Sequence, residues 1–288
     1  MAVLEGSSTL IAGASGTGKS TLARGALEYY GSGLVLLAPG MDEVNSYAGL
    51  QGKPEFKFAD FDDLEFYPAL KMWKAEGHND LVKFLMNEYK QLKQLKAEGK
   101  ELPYKVLIAD TYSSMARLAF NATLAKFNYE KPPAAVSPDG AAFYGYLRIN
   151  MEAAVRQMRA IRGLGIHWIC LAHPVESEVK EIQKTDLDIG KTKIMADIPG
   201  GYKNSFSASF DVVLNTGIGK REVQKNGKTE VERFHYAQWG GDPKRVTKSR
   251  LGALGDKGSF VLPKSAKMAW GEVQKRVDEA VMRMNEGG

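Results

Sequence analysis

Gly13-Ala14-Ser15-Gly16-Thr17-Gly18-Lys19-Ser20-Thr21, GASGTGKST, follows directly on the apolar run Leu10-Ile11-Ala12. Its spacing is G-x-x-x-x-G-K-[ST], in which the glycines let successive backbone N–H groups curl around phosphate oxygens. Ser20 to Tyr30 has helical character and Gly31 and Gly33 stop it. The loop therefore joins a strand to a helix N-terminus, whose positive end faces a bound anion. Lys19 is expected at the β- and γ-phosphates and Ser20 at Mg²⁺, with Gly13, Ala14, Ser15, Gly16, Thr17, Gly18 and Thr21 completing the cradle. ATP with Mg²⁺ is the expected ligand pair. A random chain of this length would carry roughly 0.03 such matches, so a glycine turn without a ligand is the poorer reading.

Working outward, Leu34 to Ala38 is a second buried strand ended by Pro39-Gly40, and Phe56 to Phe61 a further short one. Leu81, Leu85, Tyr89, Leu92 and Leu95 recur at helical spacing up to Gly99. Val106 to Ala109 is the next strand, and Met115, Leu118, Ala122 and Ala125 mark the helix after it. A breaker-rich loop, Lys131 to Gly140, precedes a long amphipathic helix through Phe143, Leu147, Met151, Ala154, Met158 and Ile161. Ile166 to Leu171 is the fourth strand, and the polar segment Pro174 to Ser209 has no clear period. Val212-Val213-Leu214 opens a β region in which Asn226-Gly227 signals a hairpin. Trp270, Val273, Val277, Val281 and Met284 trace a last helix. Alternating strands and helices predict an α/β, three-layer fold with a mainly parallel central sheet, a late β-hairpin and a C-terminal helix. The expected organisation is a core over 1–262, with a helical insertion at about 62–100, and a C-terminal helix over 263–288.

The chain has 39 basic and 34 acidic residues in 288, a net charge of +5 that permits a polyanionic partner without proving one. The single cysteine, Cys170, sits in the apolar run Ile166 to Leu171, which excludes an intramolecular disulfide and a cysteine metal site. No apolar run is long enough to span a bilayer and no signal-type segment opens the chain, so a soluble, cytoplasmic protein with no membrane partner is expected.

Magnesium needs a carboxylate near the phosphates while keeping several waters. Asp110, ending the buried run Val106-Leu107-Ile108-Ala109, meets that need; alone, such a residue could equally cap the next helix. The residue after it is Thr111, so a carboxylate to orient the attacking water must come from elsewhere. His167 lies within the fourth strand and reads as a core histidine, and the histidines have no metal-ligand spacing.

GASGTGKST, VLIAD, the strand-ending His173 of LAHP and the late TKSRLG together resemble the RecA-like P-loop ATPases. More narrowly they are similar to compact phage nucleotide-binding proteins of the single-strand-annealing type, from about Ser7 to Leu254. That resemblance implies a catalytic carboxylate just beyond the second strand, at Glu43 or Asp42, of which Glu43 is favoured although Pro39-Gly40 breaks the usual spacing. It implies a γ-phosphate sensor at His173, and in Lys248-Ser249-Arg250 a pair of cations, Lys248 and Arg250, that reach a neighbouring subunit's phosphate. A solvated basic turn is the alternative for that pair. The resemblance further implies a homo-oligomer, ring or filament, and contact with single-stranded DNA through 128–140 and 174–209. The second segment carries Lys180, Lys184, Lys191, Lys193 and Lys203 with Tyr202, Phe206 and Phe210 for base stacking, against six acidic residues that nearly cancel the charge. An ATP-dependent assembly or packaging factor without DNA affinity, and a small-molecule kinase, are the other readings. No arginine cluster resembling a kinase lid is evident.

Overall fold

The computed structural model describes residues 6–37, 46–61, 66–67, 72–73, 76–178, 192–202, 206–225, 228–240, 248–249 and 257–286. In chain order the elements begin with β1 (Ser8–Ala12), α1 (Lys19–Tyr30), β2 (Gly33–Leu37) and β3 (Phe56–Asp60). A small pair, β4 (Phe66–Tyr67) with β5 (Met72–Trp73), precedes α2 (Glu76–Ala97), β6 (Val106–Asp110), α3 (Tyr112–Phe127), α4 (Pro138–Arg162) and β7 (His167–Ala172). The hairpin β8 (Pro174–Glu178) and β9 (Thr192–Ala196) follows, then β10 (Val212–Lys225), β11 (Lys228–Gly240), β12 (Lys248–Ser249), β13 (Lys257–Val261) and α5 (Ala266–Glu286).

Among the described residues the central sheet has nine strands in the order β13-β11-β10-β1-β7-β6-β2-β3, with β12 also on β10. The pairings from β10 to β3 are parallel, whereas β11, β12 and β13 pair antiparallel. The result is a three-layer α/β fold, a mainly parallel sheet with helices on both faces.

Because successive strand residues face opposite sides, the continuous apolar runs feed two cores. Leu10, Leu36, Leu107, Trp168 and Val213 join Leu85, Met115, Phe143 and Met151 of α2, α3 and α4 on one face. Their neighbours Ile11, Val35, Ile108, Ile169 and Leu214 join Leu22, Leu27, Trp270 and Val273 of α1 and α5 on the other. Gly25 permits the close approach of α1 and α5: a Cβ there would lie 2.0 Å from the Ala266 carbonyl oxygen. At the lower edge of the sheet Asp211 holds β1 and β10 in register, accepting from the Ser8 N–H at 2.8 Å and its hydroxyl at 2.9 Å, and pairing with Arg162 at 2.7 Å.

Three local features differ from the sequence expectations. The helix α4 begins inside the breaker-rich stretch, since Ser137 caps it by accepting from the Gly140 N–H at 3.0 Å and Pro138 enters its first turn. The polar segment after His173 contains an antiparallel hairpin running from Pro174↔Ala196 to Glu178↔Thr192. Tyr202, Phe206 and Phe210 are buried rather than offered to bases: Phe206 stacks on Tyr112 at 4.5 Å, and Phe210 lies 4.5 Å from Trp168. That corrects the base-stacking expectation, because their burial on the sheet face outweighs a solvent-facing role. Of the lysines in that segment, Lys180, Lys184, Lys191 and Lys203 lie outside the described residues. Asn226-Gly227 also lies outside them, but the strands on either side pair down to Lys225↔Lys228.

Candidate nucleotide site

The phosphate loop leaves β1 at the upper edge of the sheet, where β7 lies on one side and β10 on the other. Strand order turns there from one direction to the other, the place where open α/β sheets bind ligands. The Gly13 N–H donates to the Ala172 carbonyl at 3.3 Å, tying the loop to β7. On the β10 side Thr17 Oγ1 lies 2.8 Å from Thr216 Oγ1 and also donates to the Ala14 carbonyl at 2.7 Å. Only glycine fits at position 13, since a Cβ would stand 2.2 Å from Thr216 Oγ1 and 2.6 Å from Thr17 Oγ1. Gly18 caps α1 without a side chain, so no capping side chain competes for the first N–H groups of that helix. Lys19, 5% exposed, donates from Nζ to the Ala14 carbonyl at 2.9 Å.

Asp110 ends β6 with no exposed surface, and Tyr47 Oη donates to its Oδ2 at 2.7 Å. The Asp110–Thr111 peptide is cis. Thr111 caps α3, its Oγ1 accepting from the Ser114 N–H at 3.4 Å, so this position serves the helix. The buried carboxylate of Asp110 and the half-buried Ser20 hydroxyl on the first turn of α1 are oxygen donors of the kind Mg²⁺ takes, an ion that uses few protein ligands and relies on phosphate and water for the rest. Among the described residues no group of three or more His, Cys, Asp or Glu could hold a metal by itself.

His173 follows β7. Its N–H donates to Ser113 Oγ at 3.0 Å, and its carbonyl accepts from the Asp197 N–H at 2.7 Å. Asp197, just past β9, has its carboxylate 3.7 Å from Arg117 of α3. Burial, followed by the Lys19 cation, pushes the His173 pKa below the ordinary histidine value. A neutral imidazole able to donate one hydrogen bond is therefore the form at neutral pH. His167, at the start of β7, is half-buried rather than fully in the core, 3.0 Å from Ser7 Oγ through Nδ1 and stacked on Tyr30 at 4.4 Å.

A cleft of about 940 Å³ opens over the loop, of a size that takes a nucleotide. Lys19, Ser20, Thr21, Ser46 and His173 line one side, and Arg233, Phe234, His235, Leu262, Pro263 and Lys264 the other. That second wall, with Thr216 and Tyr47, was missed by sequence reasoning. Thr216 had one available signal, a polar Asn215-Thr216 pair continuing the apolar run of β10; both side chains are buried.

Gly13 to Thr21, Asp110 and His173 thus meet at one sheet edge. Lys248 lies in β12 with its backbone opposite Val213. Asp42, Glu43 and Arg250 lie outside the described residues.

Residues 5–251 match the family described as AAA domain (AAA_24). No curated protein matches the chain. Among solved structures, the flagellar accessory protein FlaH from Methanocaldococcus jannaschii is similar at 14% identity with a TM-score of 0.36, over 90% of this chain and 86% of that one. An ATPase of the type III secretion system of pathogenic bacteria is similar at 15% identity and a TM-score of 0.41, over 73% of this chain and 51% of that one.

Proposed function

Because the chain belongs to the AAA domain family and is an ATP hydrolase, we propose that it spends ATP on handling single-stranded DNA in phage-type recombination, annealing or replication, as a homo-oligomer whose subunits share each site. The observation that carries this reading is the path through His173. One end of that residue meets the Lys19 field and the other, through Asp197, the base of the β8–β9 hairpin.

In this reading the loop N–H groups and Lys19 bind the triphosphate, and Ser20 with Asp110 holds Mg²⁺. Mg²⁺ held there would supply positive charge that offsets the charge developing on the phosphates during transfer. Glu43 or Asp42 orients a water that attacks the γ-phosphorus as the bond to the β-phosphate oxygen breaks, yielding ADP and phosphate. His173 donates to the γ-phosphate, and its loss is felt at the hairpin it adjoins, a local charge change coupled to a two-state segment. Lys248 and Arg250 of a neighbouring subunit neutralise the transition state, which makes hydrolysis depend on assembly. With Tyr202, Phe206 and Phe210 committed to the core, DNA contact rests on phosphate neutralisation by the lysines of 174–209, a strongly salt-dependent term.

The test is the ATPase rate with and without single-stranded DNA at two salt concentrations, for the wild type, Lys19→Ala and Arg250→Ala. The expected result is DNA stimulation that fades with salt, no hydrolysis by Lys19→Ala, and ATP binding without hydrolysis by Arg250→Ala. A rate indifferent to DNA at both salts overturns the DNA role in favour of a protein partner. Normal turnover by Arg250→Ala overturns the shared site.

A further inference from the structure

We infer that Tyr47 is a positioning residue for the magnesium carboxylate, its hydroxyl fixing the plane of the Asp110 side chain at the end of β6; the inference rests on the reading of Asp110 given above. Tyr47 follows the segment that carries Asp42 and Glu43 and sits in a short turn beside β2 and β3. Its ring has no exposed surface and packs edge-on against Phe58 at 5.9 Å. The ring lies in the same apolar layer as Val35, Leu37 and Leu50. From that layer the phenol hydroxyl reaches Asp110 Oδ2 at 2.7 Å, across the upper end of the sheet.

A phenol buried among aliphatic side chains needs an acceptor, and a buried carboxylate needs donors. A neutral donor meets the second need without cancelling the charge that a cation requires. An ionised carboxylate offers about four lone-pair sites, so the bond from Tyr47 occupies one of them while helping to fix its plane. A lysine or arginine in the same place would compete with the metal electrostatically.

Tyr47 is anchored in turn. Its carbonyl accepts from the Leu50 N–H at 3.0 Å, and the carbonyl of the preceding Ser46 accepts from Arg24 at 3.5 Å. Arg24 belongs to α1, the helix that starts at the phosphate loop, and pairs there with Glu28 at 2.8 Å. The turn therefore connects α1, the end of β6 and the chain carrying the water-orienting carboxylates. Losing a residue that orients a metal's protein ligand from behind typically costs about 10–100-fold in metal affinity or activity.

Tyr47→Phe removes the hydroxyl and keeps the ring against Phe58, which preserves folding. ADP binding is measured by calorimetry across a Mg²⁺ series and in EDTA, with Mn²⁺ binding to the ADP complex followed by electron paramagnetic resonance. The expected result is a rise of roughly 10-fold or more in the Mg²⁺ needed for half-maximal enhancement. ADP affinity in EDTA stays unchanged, and kcat falls further than KM for ATP rises. A melting temperature that drops while the Mg²⁺ and Mn²⁺ dependence stays at the wild-type value makes Tyr47 a core residue only and overturns the inference. Asp110→Asn separates the two readings. If it loses the Mg²⁺ enhancement and Tyr47→Phe does not, the inference fails and the assignment of Asp110 stands; if it keeps the enhancement, the assignment itself fails.

Discussion

Replacing Gly25 by alanine tests the packing that builds the second wall of the cleft. Helix propensity alone favours the change, because alanine in a helix interior is worth about 1 kcal/mol over glycine. The structure predicts the opposite sign. The new Cβ would stand 2.0 Å from the Ala266 carbonyl oxygen, 2.6 Å from its carbonyl carbon and 3.2 Å from Trp270 Cβ. Carbon–oxygen contacts settle at about 3.3–3.6 Å, so α5 has to retreat by more than about 1 Å at its first turn. The obstacle is backbone rather than the end of a flexible side chain, which puts the overpacking cost near the upper end of its usual range, about 3 kcal/mol. Subtracting the propensity gain leaves a net loss of about 2 kcal/mol, or roughly 3 °C in melting temperature for a chain of this length. Pro263, Lys264 and Ala269 lie around that first turn and line the cleft, so ADP affinity should fall as well. Urea unfolding with parallel ADP titrations checks both effects. A variant about 1 kcal/mol more stable than wild type, with unchanged ADP affinity, would refute the close approach of the two helices.

Two further outcomes follow from burial. Phe206→Ala should cost about 3–5 kcal/mol in urea melts and leave the salt slope of oligonucleotide binding unchanged in the folded fraction; a selective loss of DNA affinity would restore the stacking role. His78 and His167 are each pushed down to about 4 by burial, whereas the unfolded chain takes up those protons near pH 6.5. The unfolded state therefore binds more protons between these values, and stability, complete above about pH 6.5, falls as the pH drops towards 4. Each histidine contributes up to about 3 kcal/mol to that fall. His78→Gln and His167→Gln should each flatten the slope of unfolding free energy against pH, and a slope unchanged in both would show that other groups carry it.

What was legible in the chain was local. GASGTGKST states its own conformation, because glycine spacing and the flanking strand and helix are all contained in neighbouring residues. The runs Leu34 to Leu37, Val106 to Ala109 and Ile166 to Leu171 revealed central strands because both of their faces are buried. The β8–β9 hairpin stayed hidden because Pro174 to Glu178 and Thr192 to Ala196 are short, largely polar and separated by a further polar stretch. Tyr202, Phe206 and Phe210 looked available for stacking because their neighbours are polar. Their burial depends on Tyr112 and Trp168, which no local pattern connects to them. Tyr47 and the cleft wall made by Arg233, Phe234 and His235 with Leu262, Pro263 and Lys264 were likewise out of reach: each acquires its meaning from a strand distant in sequence.

The bond between Thr17 and Thr216 spans 199 positions of the chain. During synthesis at about 5–20 residues per second, the loop and the threonine that braces it leave the ribosome roughly 10–40 s apart. Throughout that interval the loop has emerged without β10, and β7, which holds it through Ala172, appears only late in the wait. A nascent chain therefore passes most of its synthesis with the signature of a nucleotide-binding protein and no finished place for a nucleotide. A ligand that binds only the finished site can therefore stabilise the fold only once β10 has paired with β1.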